Sequence, residues 1–310
     1  MKIKGKILVT GSKGLLGTQI LNLLKKTRID SIGFSSKKLD LTNLKKLDAY
    51  FKKNKPQYVI HAANRVFGLG GNFTKKFEMI NDNLIINSNL LKVCSKYKIK
   101  KIIFISSSAV YSEKFTQNIK EKNLLKFQPH NSEFYYGISK RVMFHQLQAL
   151  YEKENIKFTY IIMNNLYGIN DNFNLKNGHV VPALIHKFYL AKKRNKAVNL
   201  WGSPKAKRCL LYSKDAARMV LEILTTDVKL INLGSRKEIT IGKLSKILSK
   251  IFQYDGKIIW QKKPFKGVNK RSLNLKLLDK LNIKEKYTLE EGLKETIDWF
   301  KLNYNKKIRK

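Results

Sequence analysis

Cysteine is scarce. The 310-residue chain has two, Cys94 and Cys209, without the paired spacing of metal sites or disulfide frameworks, so two reduced thiols are expected and no metal is. Long hydrophobic runs are missing as well. No apolar stretch approaches the roughly twenty residues that span a bilayer, and Met1-Lys2-Ile3 leads straight into a strand and not a signal peptide, so a cytoplasmic protein is expected. Acidic residues are few, 22 against 63 basic ones, for a formal net charge of +41. Such charge raises a basic nucleic-acid-binding protein as one reading. Arginine, however, supplies only nine of the bases, and the lysines are scattered over every segment. Phosphate and base recognition concentrates Arg, so the composition reads better as a bias carried on solvated faces, one that still attracts anionic ligands.

Three segments carry chemistry. Lys6 to Thr10 is a short apolar strand that runs into Gly11-Ser12-Lys13-Gly14-Leu15-Leu16-Gly17 and then a helical stretch, Thr18 to Lys26. Strand, glycine turn and helix form a dinucleotide cradle, in which Gly11 makes the turn, Gly14 admits a pyrophosphate and Gly17 lets the helix pack on the strand. Second, the apolar run from Ile102 stops in Ser106-Ser107-Ser108, followed by Ala109. Hydroxyls at the carboxyl end of a parallel strand face the ligand crevice, although a helix cap is an equal reading. Third, Tyr136 and Lys140 are four residues apart and share a helix face. An ammonium there would favour the phenolate and lower the tyrosine pKa toward a useful range.

Along the chain, strands at Ile7 to Thr10, Ser31 to Phe34, Tyr58 to Ala62, Ile102 to Ser106 and Phe158 to Met163 alternate with helices at Leu44 to Asn54, Phe77 to Tyr97 and Tyr136 to Glu154. This predicts an α/β fold, a Rossmann-type doubly wound parallel sheet with a smaller C-terminal α/β substrate lobe. The expected division is 1–169 for the dinucleotide-binding domain and 170–310 mainly for the lobe, with some segments returning to the first domain. Beyond Asn170 the pattern loosens into Asn-, Gly- and Lys-rich loops, with helices at Val181 to Arg194, Asp215 to Thr225, Ile241 to Phe252 and Leu289 to Leu302. A disordered tail is expected only from Asn305 to Lys310.

Together these pieces resemble the extended short-chain dehydrogenase/reductases that modify nucleotide-linked sugars. Leu39-Asp40-Leu41, Ala62-Ala63, Asn165-Leu166-Tyr167-Gly168, Asp171-Asn172-Phe173, Gly178-His179-Val180-Val181-Pro182-Ala183-Leu184-Ile185 and Trp201-Gly202-Ser203 narrow the resemblance to the GDP-L-fucose synthase family of epimerase/reductases. The resemblance implies a catalytic set of Ser107, Tyr136, Lys140 and His179. For the cofactor it implies Gly11, Lys13, Gly14, Leu15, Leu16, Gly17, Ser36, Asp40, Leu41, Ala62, Ala63, Ile105, Ser106, Tyr136, Lys140, Met163, Asn165, Leu166 and His179. For the sugar nucleotide it implies Ser107, Ser108, Asn165, Val180, Lys187, Trp201, Arg208 and Arg271; core packing is an even alternative for Trp201. It further implies a homodimer built on the helices from Phe77 and Tyr136, where Val142, Met143, Leu147 and Leu150 suit either an interface or the domain's own core.

Two positions refine the expectation. An acidic residue at the end of the second strand would hold the ribose of NAD, whereas this chain has Phe34-Ser35-Ser36-Lys37-Lys38, which with Lys13 suits the 2′-phosphate of NADPH. The family's cysteine two residues beyond the catalytic serine is here Ala109, which has no ionisable group. The expected activity is therefore NADPH-dependent reduction at carbon 4 of a GDP-4-keto-6-deoxy sugar, hexose or 6-deoxyheptose, without epimerisation, in cell-surface polysaccharide biosynthesis and with a separate epimerase upstream where inversion is needed. A complete epimerase/reductase using His179, alone or with Cys209, is the same-class alternative. A UDP-sugar 4-epimerase, which needs tightly held NAD and no net redox, is a further enzyme reading.

Overall fold

The computed structural model describes residues 3–66, 74–175, 178–261 and 270–305. Met1 and Lys2 of the leading segment and the expected tail beyond Asn305 lie outside them. The first half alternates as the apolar pattern requires: β1 (Ile7–Thr10), α1 (Leu15–Lys26), β2 (Ser31–Gly33), α2 (Leu44–Asn54), β3 (Tyr58–His61), α3 (Lys76–Lys96), β4 (Lys101–Ser107), α4 (Phe134–Glu154) and β5 (Lys157–Met163). β1, β3 and β4 are buried almost throughout, which is why they read as unbroken apolar runs. The second half adds β6 (Asn165–Tyr167), α5 (Val180–Arg194), β7 (Val198–Trp201), β8 (Lys207–Tyr212), α6 (Ser213–Leu224), β9 (Leu230–Leu233), β10 (Glu238–Thr240), α7 (Ile241–Phe252), β11 (Ile258–Gln261), α8 (Lys276–Lys280) and α9 (Leu289–Asn303).

Six strands form one parallel sheet in the order β2-β1-β3-β4-β5-β9. α1 and α6, which pack on each other, lie on one face, and α2, α3 and α4 on the other. Beyond Asn170, where the sequence pattern marked loops and helices but no individual strands, β9 returns to the main sheet beside β5, β10-β8-β6 form a three-stranded sheet, and β11 pairs with β7. Two apolar cores result. One surrounds the parallel sheet and includes α6 and β9; the other gathers Phe173, α5, α7 and α9 around β7 and β8. No helix among the described residues is long and apolar enough to cross a membrane.

Strand order reverses direction between β2 and β3, on either side of β1, so a crevice opens at the carboxyl ends of β1 and β3. Thr10 and His61 end these two strands in register, and β4 runs three residues past the Phe104 that pairs with His61, to Ser107. Ser107 therefore stands at the rim of the crevice.

Candidate active site

The glycine turn has the shape a pyrophosphate needs. Gly11 takes φ +65°, and a Cβ there would lie 2.8 Å from the backbone of Ala62 and Ala63. At Gly17 a Cβ would fall 2.2 Å from the Gly11 carbonyl oxygen, so α1 rests directly on the turn. Gly14 is the N-cap of α1; it lends no side chain to the free N–H groups, and the first turn holds no acidic residue. These amides are left for an anion. Lys13 is exposed beside them, and its carbonyl accepts from Asn170 Nδ2 at 2.8 Å. At the end of β2, Ser36 is exposed and no carboxylate faces the crevice from Phe34 to Lys38. Asp40 comes later, and its carboxylate accepts the Thr42 amide at 2.9 Å, which holds it below its ordinary pKa. The residues present therefore fit a dinucleotide with a phosphorylated ribose. Leu16, Leu41 and Met163 place their side chains in the core, so only their backbones are available to such a ligand. Ala62, Ala63, Leu15, Ile105 and Leu166 are partly exposed around the opening.

Lys140 is fully buried, with Nζ donating to the Ile105 carbonyl at 2.7 Å and lying 5.5 Å from the centre of the Tyr136 ring. The sequence expectation for the phenol is corrected. Burial pushes Tyr136 above its ordinary pKa, with Glu133 adding to the rise, and burial pushes Lys140 well below its own. Desolvation disfavours both charged forms. A phenol that keeps its proton is the form able to donate it. Gly137 fixes the position of Tyr136: a Cβ at that glycine would sit 2.6 Å from the Ala109 carbonyl oxygen, so the start of α4 is pressed against the turn that follows Ser107.

The three serines divide. Ser106 is buried and donates to Tyr160 Oη at 2.7 Å, and that hydroxyl in turn donates to the Lys140 carbonyl at 2.9 Å; its side chain faces the core and supports α4. Ser108 is buried as well. Ser107 is partly exposed, and its Oγ accepts the Ala109 amide at 3.2 Å, capping the short 3-10 turn Ser108–Val110. The capping reading holds, and the hydroxyl proton remains free to donate toward a ligand.

His179 is the N-cap of α5, about half exposed, with Nδ1 3.9 Å from Asp171 Oδ1. The Asp171 carboxylate raises its pKa. Val180 follows at the first position of that helix, and Asn165 is exposed on β6. Lys187 lies 3.8 Å above the centre of the Trp201 ring, which is 47% exposed and therefore not core packing. Arg208 is partly buried on β8. Its neighbour Cys209 points into the protein, 4% exposed, with its thiol pushed up to about 11 by burial. Cys94 is buried in the main core. Met143 and Leu147 also belong to that core, while Leu150 packs at its edge.

Four side chains escaped the sequence reading. Arg141, adjacent to Lys140, donates from Nε and Nη2 to the Val110 carbonyl at 2.9 and 2.6 Å, and so fastens the loop beyond Ser107 to α4. Glu133 accepts from Arg271 at 2.8 Å. Asn170 ties the glycine loop to the crossing segment, and the next residue, Asp171, faces His179. The rarity of arginine was the available signal: in so lysine-rich a chain, an Arg marks a fixed fork of donors.

Comparison with known proteins places this geometry. The NAD dependent epimerase/dehydratase family matches residues 7–234. GDP-L-fucose synthase from Dictyostelium discoideum is 32% identical over 309 residues, covering 97% of each chain. The crystal structure of a GDP-L-fucose synthetase from Naegleria fowleri bound to NADP superposes with a TM-score of 0.90 at 34% identity, covering 99% of this chain and 95% of that one. A GDP-mannoheptose C4 reductase from Campylobacter jejuni, with NADP bound, shares the fold at a TM-score of 0.86 and 23% identity, over 97% of this chain and 99% of that one. With its glycine cradle, rim serine and Tyr136-Lys140 helix on this sheet, the chain belongs to the NAD dependent epimerase/dehydratase family and is related within it to the GDP-L-fucose synthases.

Proposed function

We propose that this chain is an NADPH-dependent oxidoreductase that reduces carbon 4 of a GDP-4-keto-6-deoxy sugar, hexose or 6-deoxyheptose, without epimerising it. The cradle of Gly11, Gly14 and Gly17, with Lys13 and Ser36 near the ribose phosphate, would hold the dinucleotide. Bound there, the reduced nicotinamide supplies a hydride to the keto carbon. Ser107 donates to the keto oxygen, and Tyr136, protonated, gives that oxygen its proton as negative charge develops. Lys140 bonds the Ile105 carbonyl and holds the Tyr136 side of α4 to β4. Lys187, Arg208 and Trp201 would take the diphosphate and the base, and Asn165 the sugar. The GDP-linked substrate rests on the GDP-L-fucose synthases at 32% and 34% identity.

The observation that carries reduction without epimerisation is Ala109. Buried to 1% and bonded through its amide to Ser107 Oγ, it leaves no ionisable side chain at that place beside the catalytic serine. His179, its proton held more tightly because of Asp171, favours the second reading, a complete epimerase/reductase. One experiment separates them. With GDP-4-keto-6-deoxymannose and NADPH in deuterated water, stoichiometric NADPH oxidation and no deuterium at carbons 3 and 5 of the product are expected; deuterium at either carbon would establish the second reading. Absence of net NADPH oxidation would point to a UDP-sugar 4-epimerase type of reaction. A homodimer through α3 and α4 and a separate upstream epimerase belong to the same proposal, and sedimentation of the purified chain checks the first.

A further inference from the structure

Glu133 occupies the N-cap of α4, one helical turn before Tyr136, where a carboxylate ordinarily accepts the first free backbone N–H groups. It makes no such bond. Its Oε2 accepts from Arg271 Nη1 at 2.8 Å, and among the described residues the other oxygen has no hydrogen bond. Arg271 is held deep, with 8% of its side chain exposed, and its Nε has no hydrogen-bond partner among the described residues. A donor unpaired at that depth is rare. The pair thus offers an open acceptor and an unpaired donor a few atoms apart.

The charge of this carboxylate is felt on three elements. Its charge acts on Tyr136 of α4, one turn further along the same helix, on His179 at the start of α5 and on Arg208 of β8, so it lies within electrostatic reach of the proposed proton donor, the second acid/base candidate and the candidate diphosphate ligand. A bare carboxylate at that point would repel a diphosphate; neutralised by Arg271, it does not. What remains is an acceptor with no proton of its own, suited to a neutral donor. The keto oxygen at the reacting carbon has no proton to give, whereas ring hydroxyls do.

We propose that Glu133 is a specificity-determining residue: fixed by Arg271, its free oxygen accepts a hydrogen bond from a ring hydroxyl of the sugar near the reacting carbon. The proposal rests on the GDP-sugar reading above. Calorimetry on the full chain with GDP and with GDP-mannose, which differ only by the sugar, tests it, and the readout is the ratio of the two affinities. Wild type is expected to favour GDP-mannose. In Glu133→Gln that ratio should fall about tenfold or more, as expected for a lost hydrogen bond to a charged acceptor. Removing one partner strands Arg271, so Glu133→Ala/Arg271→Met, which deletes both charges, is measured beside it; the ratio should collapse there too, whatever happens to GDP itself. An unchanged ratio in both variants overturns the proposal and leaves Glu133 as an anchor for Arg271. Wild type that binds neither ligand overturns the GDP-sugar reading, and this proposal with it.

Discussion

Burial, with the Glu133 charge adding to it, pushes the Tyr136 pKa up, and the protonated phenol is the form able to protonate an oxygen under reduction. Tyr136→Phe is expected to lower kcat by about 10²- to 10⁴-fold, the usual worth of a positioned acid, with dinucleotide affinity unchanged in a fluorescence titration. A comparable loss of affinity would show that the phenol holds the cofactor instead. A second residue reports through stability. His61 is fully buried between Thr10 Oγ1 at 2.7 Å and Asn87 Oδ1 at 3.1 Å, and burial depresses its pKa from 6.5 to about 3. Its folded value lies below its unfolded one, so its contribution is complete above about pH 6.5 and is lost as pH falls toward 3, because the unfolded chain takes up a proton the folded one refuses. At about 1.4 kcal/mol per pH unit, roughly 2 kcal/mol should disappear between pH 6.5 and 5. Denaturant midpoints at those two pH values should drop further in wild type than in His61→Gln; equal drops would assign the loss to other groups.

At the scale of elements, the seating of α1 on the glycine turn is the contact most exposed to test. Gly17→Ala would bring a methyl carbon to 2.2 Å from the Gly11 carbonyl oxygen, forcing the helix away from the turn. The expected cost is about 1–3 kcal/mol, as for an overpacked core site, together with loss of most of the thermal shift that NADPH produces. A full ligand-induced shift in this variant would mean that the anion site does not depend on how α1 rests there. The turn was legible in sequence because its signal is local, a few residues from strand to helix. β1, β3, β4 and β5 were legible for the same reason, each being a short apolar run with a turn beside it, whereas β2 is only Ser31-Ile32-Gly33 and gives a weaker signal. β9 was not legible: its four residues contain the buried polar Asn232 and gain their meaning only by pairing with β5. β8 opens with Lys207 and Arg208 and joins β6 in parallel and β10 in antiparallel fashion, a mixture with no single periodicity. β7 did carry a period of two, with Val198 and Leu200 buried and Asn199 and Trp201 exposed. In the site, Tyr136 and Lys140 declare themselves by spacing, while Glu133 matters through Arg271, 138 residues away, and no local pattern reports that.

For the whole molecule, the net charge of +41 bears on association more than on chemistry. Dinucleotide and sugar nucleotide are both anions, and a cationic surface raises their local concentration at the crevice. Tyr136, proposed to give the proton, is partly buried and Lys140, which holds its helix, fully so, and groups out of solvent feel added salt far less than exposed lysines do. Raising ionic strength from about 0.05 to 0.5 M shortens the screening length from about 14 to about 4 Å. KM for both substrates should therefore climb across that range while kcat changes little. Adhesion to DNA, measured on two unrelated sequences, should be equal on both at low salt and vanish over the same range, as phosphate contacts alone require. Binding that survives at 0.5 M and prefers one sequence would restore a nucleic-acid role for the basic surface. A kcat that falls in step with salt would place an exposed lysine in the chemical step.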